Sequence, residues 1–116
     1  MIVEEIMQTD LITIYTSTTL SDAIRLMKVH KIRHLPIIDQ SNHLVGIISD
    51  RDLRDASPSI LKDNDKSQYK ATVESIMSKN IITGTPLDFV EDIAALFYEF
   101  KISCLPILSK KILVGI

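Results

Sequence analysis

The sequence contains few of the residues that several functional classes require. Its 116 residues include one cysteine, three glycines and no tryptophan, and aromatic residues make up 5% of the chain. A single cysteine excludes an internal disulfide and a cysteine-based metal cluster. The glycines are Gly46, Gly84 and Gly115, which are too widely separated to form a glycine-rich phosphate loop.

The chain also lacks a strong charge of either sign and a long hydrophobic run. It has 13 lysines and arginines against 15 aspartates and glutamates, a net charge of -2, so neither nucleic acid nor an anionic membrane is predicted as a partner. No apolar run approaches the length of a bilayer span. The start, Met1–Glu5, does not resemble a signal peptide. These absences predict a soluble, cytoplasmic protein.

What the sequence does contain is a core-forming composition and an internal repeat. Hydrophobic residues make up 46% of the chain, enough for one compact domain or two small units that share a core. Three segments recur in the same order: Val3-Glu4-x-Ile6-Met7 as Val73-Glu74-x-Ile76-Met77, Leu35-Pro36-Ile37 as Leu105-Pro106-Ile107, and Leu44-Val45-Gly46-Ile47 as Leu113-Val114-Gly115-Ile116. So many matches in one order indicate a duplication.

Each copy is predicted to fold as a β-α-β-β unit, which places the chain in the α+β class. The first copy has strands over 11–15, 34–38 and 44–48 and a helix over 20–31. The second copy has strands over 81–83, 104–108 and 112–116 and a helix over 87–100, with Pro86 at its start. One such unit is too small to close a core alone, whereas two units that pair can do so.

The predicted organisation is repeat 1 over 1–56, a linker over 57–72 and repeat 2 over 73–116. The linker is polar and charged. We expect a short helix after Leu53 that decays into it. Because repeat 1 continues beyond the position that matches Ile116, the chain is expected to be a fragment of a longer protein.

The segment 44–53 is the strongest candidate for a ligand site. An apolar run ends in Ser49-Asp50-Arg51-Asp52, and a segment with apolar residues at helical spacing begins at Leu53. This order predicts a strand that leads into a helix N-terminus, which favours an anion. Ser49 and Arg51 could face a phosphate, and Asp52 could accept from ribose hydroxyls. Alternatively, Ser49 and Asp52 form only a helix-capping box.

These features together resemble a tandem pair of CBS (cystathionine-β-synthase) domains, also called a Bateman module. The matching residues are Ile6-Met7, Ala23-Ile24-x-Leu26-Met27, Ile32-Arg33-His34-Leu35-Pro36-Ile37-Ile38-Asp39 and Gly46-Ile47-Ile48-Ser49-x-x-Asp52, together with their counterparts in repeat 2. Within that group the chain is most similar to the acetoin-utilisation AcuB family. The segments that carry this likeness are 49–59, 84–90 and 102–106.

The resemblance implies a regulatory, non-catalytic module with two repeats related by a pseudo-twofold axis. It implies an adenine nucleotide as ligand (AMP, ADP or ATP, or S-adenosylmethionine in its place) and a further regulatory domain after residue 116. Because two small repeats leave their apolar helical faces incompletely covered, we also predict a homodimer through those faces. The nucleotide-binding residues that the resemblance implies are Ser49, Arg51, Asp52, Ile82, Ile102, Ser103 and Cys104. A second site would use Ile12, Arg33 and His34, but its Ser/Thr-x-x-Asp motif from repeat 2 is absent from the chain.

Other functions are less well supported by the residues. The four-residue spacing of His30 and His34 suits a helix, but Pro36 and the β-branched run after it place His34 on a strand, so no metal site is predicted. Ser49 has no histidine partner implied by the sequence, so no catalytic residues are predicted. The alternative function is a constitutive dimerisation or scaffold module without a small-molecule ligand.

Overall fold

The computed structural model of the protein describes residues 1–63 and 71–116, with the backbone alone for residues 57–63. The described elements are the strands β1 (Ile14–Tyr15), β2 (His34–Ile38), β3 (Leu44–Ser49), β4 (Ile107–Ser109) and β5 (Ile112–Gly115), the helices α1 (Leu20–His30), α2 (Asp50–Asp63) and α3 (Val90–Phe100), and 3₁₀ turns at Val3–Glu5 and Val73–Ser75. This mixture confirms the predicted α+β class.

The chain divides into two compact units. Unit 1 comprises Met1–Leu11, Asn42–Leu44 and Ile82–Ile116, and unit 2 comprises Ile12–Ser41 and Val45–Ile81. Each unit therefore contains the body of one repeat and the leading segment of the other. We call residues 1–8 and 71–78 the leading segments.

Unit 2 is built on the sheet β1-β2-β3, with β2 in the centre. β1 runs parallel to β2, and Ile14 lies opposite Ile37. The connection from β2 to β3 is too short for a crossover, so these neighbouring strands form an antiparallel hairpin. The buried core consists of Ile14, Leu20, Ala23, Met27, Leu35, Ile37, Ile48, Leu53 and Val73. Because β2 is covered on both faces, it is apolar from Leu35 to Ile38.

The leading segment of repeat 2 is part of this core. Val73 is completely buried in unit 2. Its backbone N–H donates to the Thr18 carbonyl at 2.8 Å, and the Leu20 N–H donates to the Ala71 carbonyl at 2.9 Å. Ser78 and Ile47 exchange a reciprocal pair of backbone hydrogen bonds at 2.9 and 3.0 Å. The segment therefore closes unit 2 by both burial and backbone pairing.

Unit 1 repeats this arrangement with the leading segment of repeat 1. The Val3 N–H donates to the Asp88 carbonyl at 2.9 Å, and the Val90 N–H donates to the Met1 carbonyl at 3.0 Å. Gln8 and Ile116 exchange two hydrogen bonds of 3.1 Å. The core consists of Val3, Ile93, Leu105 and Ile107, beside the antiparallel pair β4–β5. The duplication read from the sequence is thus present in the hydrogen bonding of both units.

The first strand of each repeat is shorter than we predicted. β1 has two residues instead of five, and the predicted strand 81–83 is replaced by a single bridge between Gly84 and Ile107. The prolines of the neighbouring segments account for this. Extending the parallel ladder toward Ile12 or Ile82 would require an N–H from Pro36 or Pro106, and proline has none.

Three further boundaries differ from the prediction. α3 begins at Val90 instead of Leu87, because the Asp88 carboxylate accepts the Thr85 N–H at 2.8 Å in a preceding turn and Phe89 is extended. β4 begins at Ile107 instead of Cys104; Ile107 pairs with Gly115, so no residue of β5 lies opposite 104–106. The helix expected after Leu53 to be short extends from Asp50 to Asp63. Residues 64–70 of the predicted linker lie outside the described residues.

None of the helices in the described ranges is both long enough and apolar enough to cross a bilayer.

We expect the contact between Gly46 and Met77 to set the packing of the leading segment in unit 2. A Cβ at Gly46 would lie 3.0 Å from Met77 Cγ and closer to Sδ. Gly46→Ala should therefore lower the free energy of unfolding by about 1–3 kcal/mol through overpacking. In a Met77→Ala background the same change should be neutral or stabilising, because alanine is favoured over glycine in a strand. Urea unfolding of the four proteins measures both effects; an equal loss in both backgrounds would contradict this packing.

Candidate functional site

The junction of β3 and α2 carries the strongest candidate residues. Ser49 ends β3, and α2 begins at Asp50. The Asp52 N–H donates to Ser49 Oγ at 3.1 Å, and the Ser49 N–H donates to Asp52 Oδ2 at 3.0 Å. This is a reciprocal capping box with aspartate in the place of the usual glutamate. The capping interpretation is therefore correct.

The capping box leaves part of Asp52 available for another role. Its Oδ2 is engaged by the backbone, but no donor among the described residues bonds to Oδ1. An ionised carboxylate offers about four acceptor sites, so two hydroxyl groups can still be accepted. The N–H groups in the first turn of α2 add a partial positive charge. The ribose role of Asp52 stays a prediction that this geometry permits.

The same junction is bonded to the start of β2. The Asp50 N–H donates to the Arg33 carbonyl at 2.8 Å. Because β2 and β3 form a hairpin, the first residue of one strand lies beside the last residue of the other. His34 therefore lies close enough to Asp50 and Asp52 for their charges to act on its imidazole. The sequence assigned Arg33 and His34 to a possible second site. In the structure they lie beside Ser49 and Asp52 in unit 2, and their part in a second site stays a prediction.

The electrostatics of His34 reflect this position. Burial lowers the pKa of His34 below its usual 6.5 because the charged imidazolium loses hydration. The carboxylates of Asp50 and Asp52 oppose this shift, and Arg33 adds to it. The neutral imidazole is therefore favoured near pH 7, and negative charge added nearby would raise the pKa of His34.

The remaining predicted residues of unit 2 have different surroundings. Arg51 is exposed on α2. Its side chain can therefore change conformation to contact a ligand without any rearrangement of the fold. Ile12 packs against the core of unit 2. Arg54, one helical turn after Asp50, forms an ion pair with it at 3.6 Å, so it partly offsets that carboxylate.

Four predicted residues lie in unit 1. Ile82 and Ile102 pack against the core of that unit, Ser103 is exposed, and Cys104 is half-buried. Burial raises the pKa of the Cys104 thiol from 9.0 to about 11. Because the thiolate is the reactive form, Cys104 is unsuited to nucleophilic chemistry near pH 7. Ile82, Ile102, Ser103 and Cys104 stay predicted nucleotide contacts.

The described residues contain no group of three or more histidine, cysteine, aspartate or glutamate side chains that could hold a metal ion. The junction can bind a ligand by hydrogen bonds and by charge. Its carboxylate can accept from hydroxyl groups, and its helix N-terminus, arginine and histidine can bind an anion.

Sequence reasoning missed the proximity of Arg33 and His34 to Asp50 and Asp52. The signal was present, because the predicted strands 34–38 and 44–48 are joined by five residues and must pair as a hairpin. That pairing alone places the start of the first strand beside the end of the second.

Comparison with known proteins supports the resemblance. The family model for the CBS domain matches residues 3–59 and 73–116. The chain is 35% identical over 115 residues to a CBS domain-containing protein of Dictyostelium discoideum, covering 95% of this chain and 79% of that protein. It is 38% identical over 113 residues to homoserine O-acetyltransferase of Methanococcus vannielii, covering 97% of this chain but only 22% of the enzyme. The chain thus spans a minor part of that relative.

Solved structures give the same result. A putative acetoin utilization protein (AcuB) from Vibrio cholerae matches with a TM-score of 0.88 and 32% identity, covering 99% of this chain and 82% of that one. CBSX2 in complex with AMP matches with a TM-score of 0.84 and 29% identity, covering 98% and 87%. A CBS domain pair in complex with 5-methylthioadenosine and S-adenosyl-L-methionine matches with a TM-score of 0.83 and 30% identity, covering 99% and 86%.

Proposed function

The chain belongs to the CBS domain family, and we propose that it is a regulatory module that senses an adenine nucleotide. Two similar CBS-pair structures hold adenosine-containing ligands: AMP in one, and 5-methylthioadenosine with S-adenosyl-L-methionine in the other. Similarity to the acetoin utilization protein of Vibrio cholerae supports a role in acetoin utilisation. We propose a cytoplasmic location, on the sequence features given above.

The observation that carries this proposal is the junction of β2, β3 and α2 in unit 2. In the proposed complex, Asp52 Oδ1 accepts from the ribose hydroxyls while Oδ2 continues to cap α2. Arg33, His34 and the first turn of α2 face the phosphate. The hydrogen bonds that position these groups are made within the fold of unit 2. Binding should therefore require little reordering of the junction.

We propose a regulatory action and not a catalytic one. Ser49 Oγ accepts the Asp52 N–H in the cap, an arrangement that supplies no general base to activate its hydroxyl. The Cys104 thiol is protonated near pH 7 because its pKa is about 11. Regulation would operate as a population shift: a nucleotide that binds one arrangement of the repeats more tightly increases the population of that arrangement. The size of the shift is limited by the difference in affinity between arrangements.

Replacing the Asp52 carboxylate tests the site without removing the cap. Asp52→Asn keeps an acceptor for the Ser49 N–H but loses the negative charge and one oxygen. We expect AMP to bind the wild-type chain saturably in calorimetry and to bind Asp52→Asn about tenfold or more weakly, as is usual when a hydrogen bond to a charged group is lost.

Asp22→Asn is the matched control, because Asp22 occupies the same position in the cap of α1, where its N–H donates to Thr19 Oγ1 at 3.1 Å. This control should bind AMP like the wild type. Equal affinity of Asp52→Asn and wild type, or no saturable heat with AMP, ADP, ATP or S-adenosylmethionine, would favour the scaffold function instead.

We also propose that the chain forms a homodimer through apolar helical surfaces. Large apolar side chains are exposed on two helices: Val29 on α1 at 66%, and Tyr98 on α3 at 90%. We propose that these side chains belong to apolar patches that a second copy of the chain covers, since contiguous exposed apolar patches mark interaction sites.

Light scattering after size-exclusion chromatography tests the dimer. The wild-type chain should have twice the mass of one chain, and Tyr98→Glu should be monomeric at the same concentration because a charge cannot be buried unpaired. Tyr15→Glu, which changes a half-exposed tyrosine outside the helices, should remain dimeric. A monomeric wild type, or a dimeric Tyr98→Glu, would contradict this interface.

A further inference from the structure

A cavity lies within unit 2, between α1 and α2. Its volume is about 530 Å³, within the usual range of small-molecule sites. Met27 of α1 and Leu53 of α2 form its floor, and they are only 6% and 3% exposed. Ile24 and Ile32 extend this apolar surface. The floor can therefore cover a compact apolar group.

The rim of the cavity is strongly cationic. It carries Lys28 from α1, Lys31 and Arg33 from the segment between α1 and β2, and Arg54 from α2. One carboxylate, Asp50, lines the cavity, and it is paired with Arg54 at 3.6 Å. Within the described residues, no ion pair engages Lys28, Lys31 or Arg33. A chain with a net charge of -2 thus places an excess of positive charge around one apolar cavity.

We propose that this cavity is a binding site for an amphiphilic organic anion: a compact apolar or aromatic body on the floor and one acidic head group at the cationic rim. The apolar body gains free energy in proportion to the area it removes from water. The head group gains charge-assisted contacts with the lysines and Arg33.

The lining disfavours a polar nucleoside at the same place. Among the described residues that line the cavity, Asp50 is the only carboxylate and is already paired with Arg54, and the apolar residues of the floor offer ribose hydroxyls no side-chain acceptor. The site lies wholly within unit 2 and does not use Asp52. Arg33 lines this cavity and also faces the phosphate in the proposed nucleotide complex, so the two sites are neighbours that share this side chain. Lys28 and Lys31 are assigned to this cavity alone, and their replacement tests it separately from nucleotide binding.

A pair of fluorescent probes tests this site. 8-Anilinonaphthalene-1-sulfonate has an aromatic body and a sulfonate head, and N-phenyl-1-naphthylamine has the same body without the charge. We expect the sulfonate probe to bind saturably at one site per chain, with the double variant Lys28→Gln/Lys31→Gln binding it about tenfold more weakly. The neutral probe should bind both proteins alike.

The matched control is Arg25→Gln/Lys79→Gln, which removes two exposed cations that do not line the cavity. It should bind the sulfonate probe like the wild type. An equal loss of affinity in both double variants would attribute binding to overall charge and overturn the proposal. Absence of saturable binding, or identical binding of both probes to the wild type, would also overturn it.

Discussion

The junction that carries the candidate site in unit 2 depends on the reciprocal hydrogen bonds between Ser49 and Asp52. These hydrogen bonds lie where β3 ends at Ser49 and α2 begins at Asp50, so no loop separates the strand from the helix. The Asp50 N–H then bonds to the Arg33 carbonyl and joins this junction to the start of β2. A capped helix N-terminus, a carboxylate, an arginine and a histidine are thereby brought together by the capping bonds, the hairpin and the Asp50–Arg33 backbone bond. A structural cap and a ligand site need not be alternatives here, because the cap uses one oxygen of Asp52.

Because of the duplication, the two repeats exchange their leading segments. Each unit is closed by the leading segment of the other repeat: Val73 is buried in unit 2, and Val3 in unit 1. The glycines of β3 and β5 leave room for Met77 and Met7, respectively. Neither repeat can complete its own core without its partner. A repeat of about 50 residues is too small to be stable alone, and the exchange supplies the missing apolar surface.

Much of this could be predicted from the sequence. The repeat, the α+β class, α1 and the hairpin followed from apolar periodicity and turn residues, because burial imposes those patterns directly. The start of α3 could not be predicted, since the Asp88 side chain forms a local turn that competes with the helix. The exchange of leading segments was also not predicted. An apolar residue such as Val3 or Val73 shows in the sequence that it will be buried, but not in which of the two units. The cationic cavity could not be predicted either. It forms only because α1 and α2 pack together, and this brings Lys28 and Arg54, which are far apart in the chain, to the same rim.

The central claim is that the phosphate of an adenine nucleotide binds beside His34. The most direct measurement is an NMR titration of the His34 imidazole with pH, with and without saturating AMP, using His34→Gln to assign the resonance. In the free chain the pKa should lie below 6.5, because burial disfavours the imidazolium. With AMP it should rise, since a nearby phosphate favours the charged form. An unchanged His34 pKa at saturating AMP would contradict the claim.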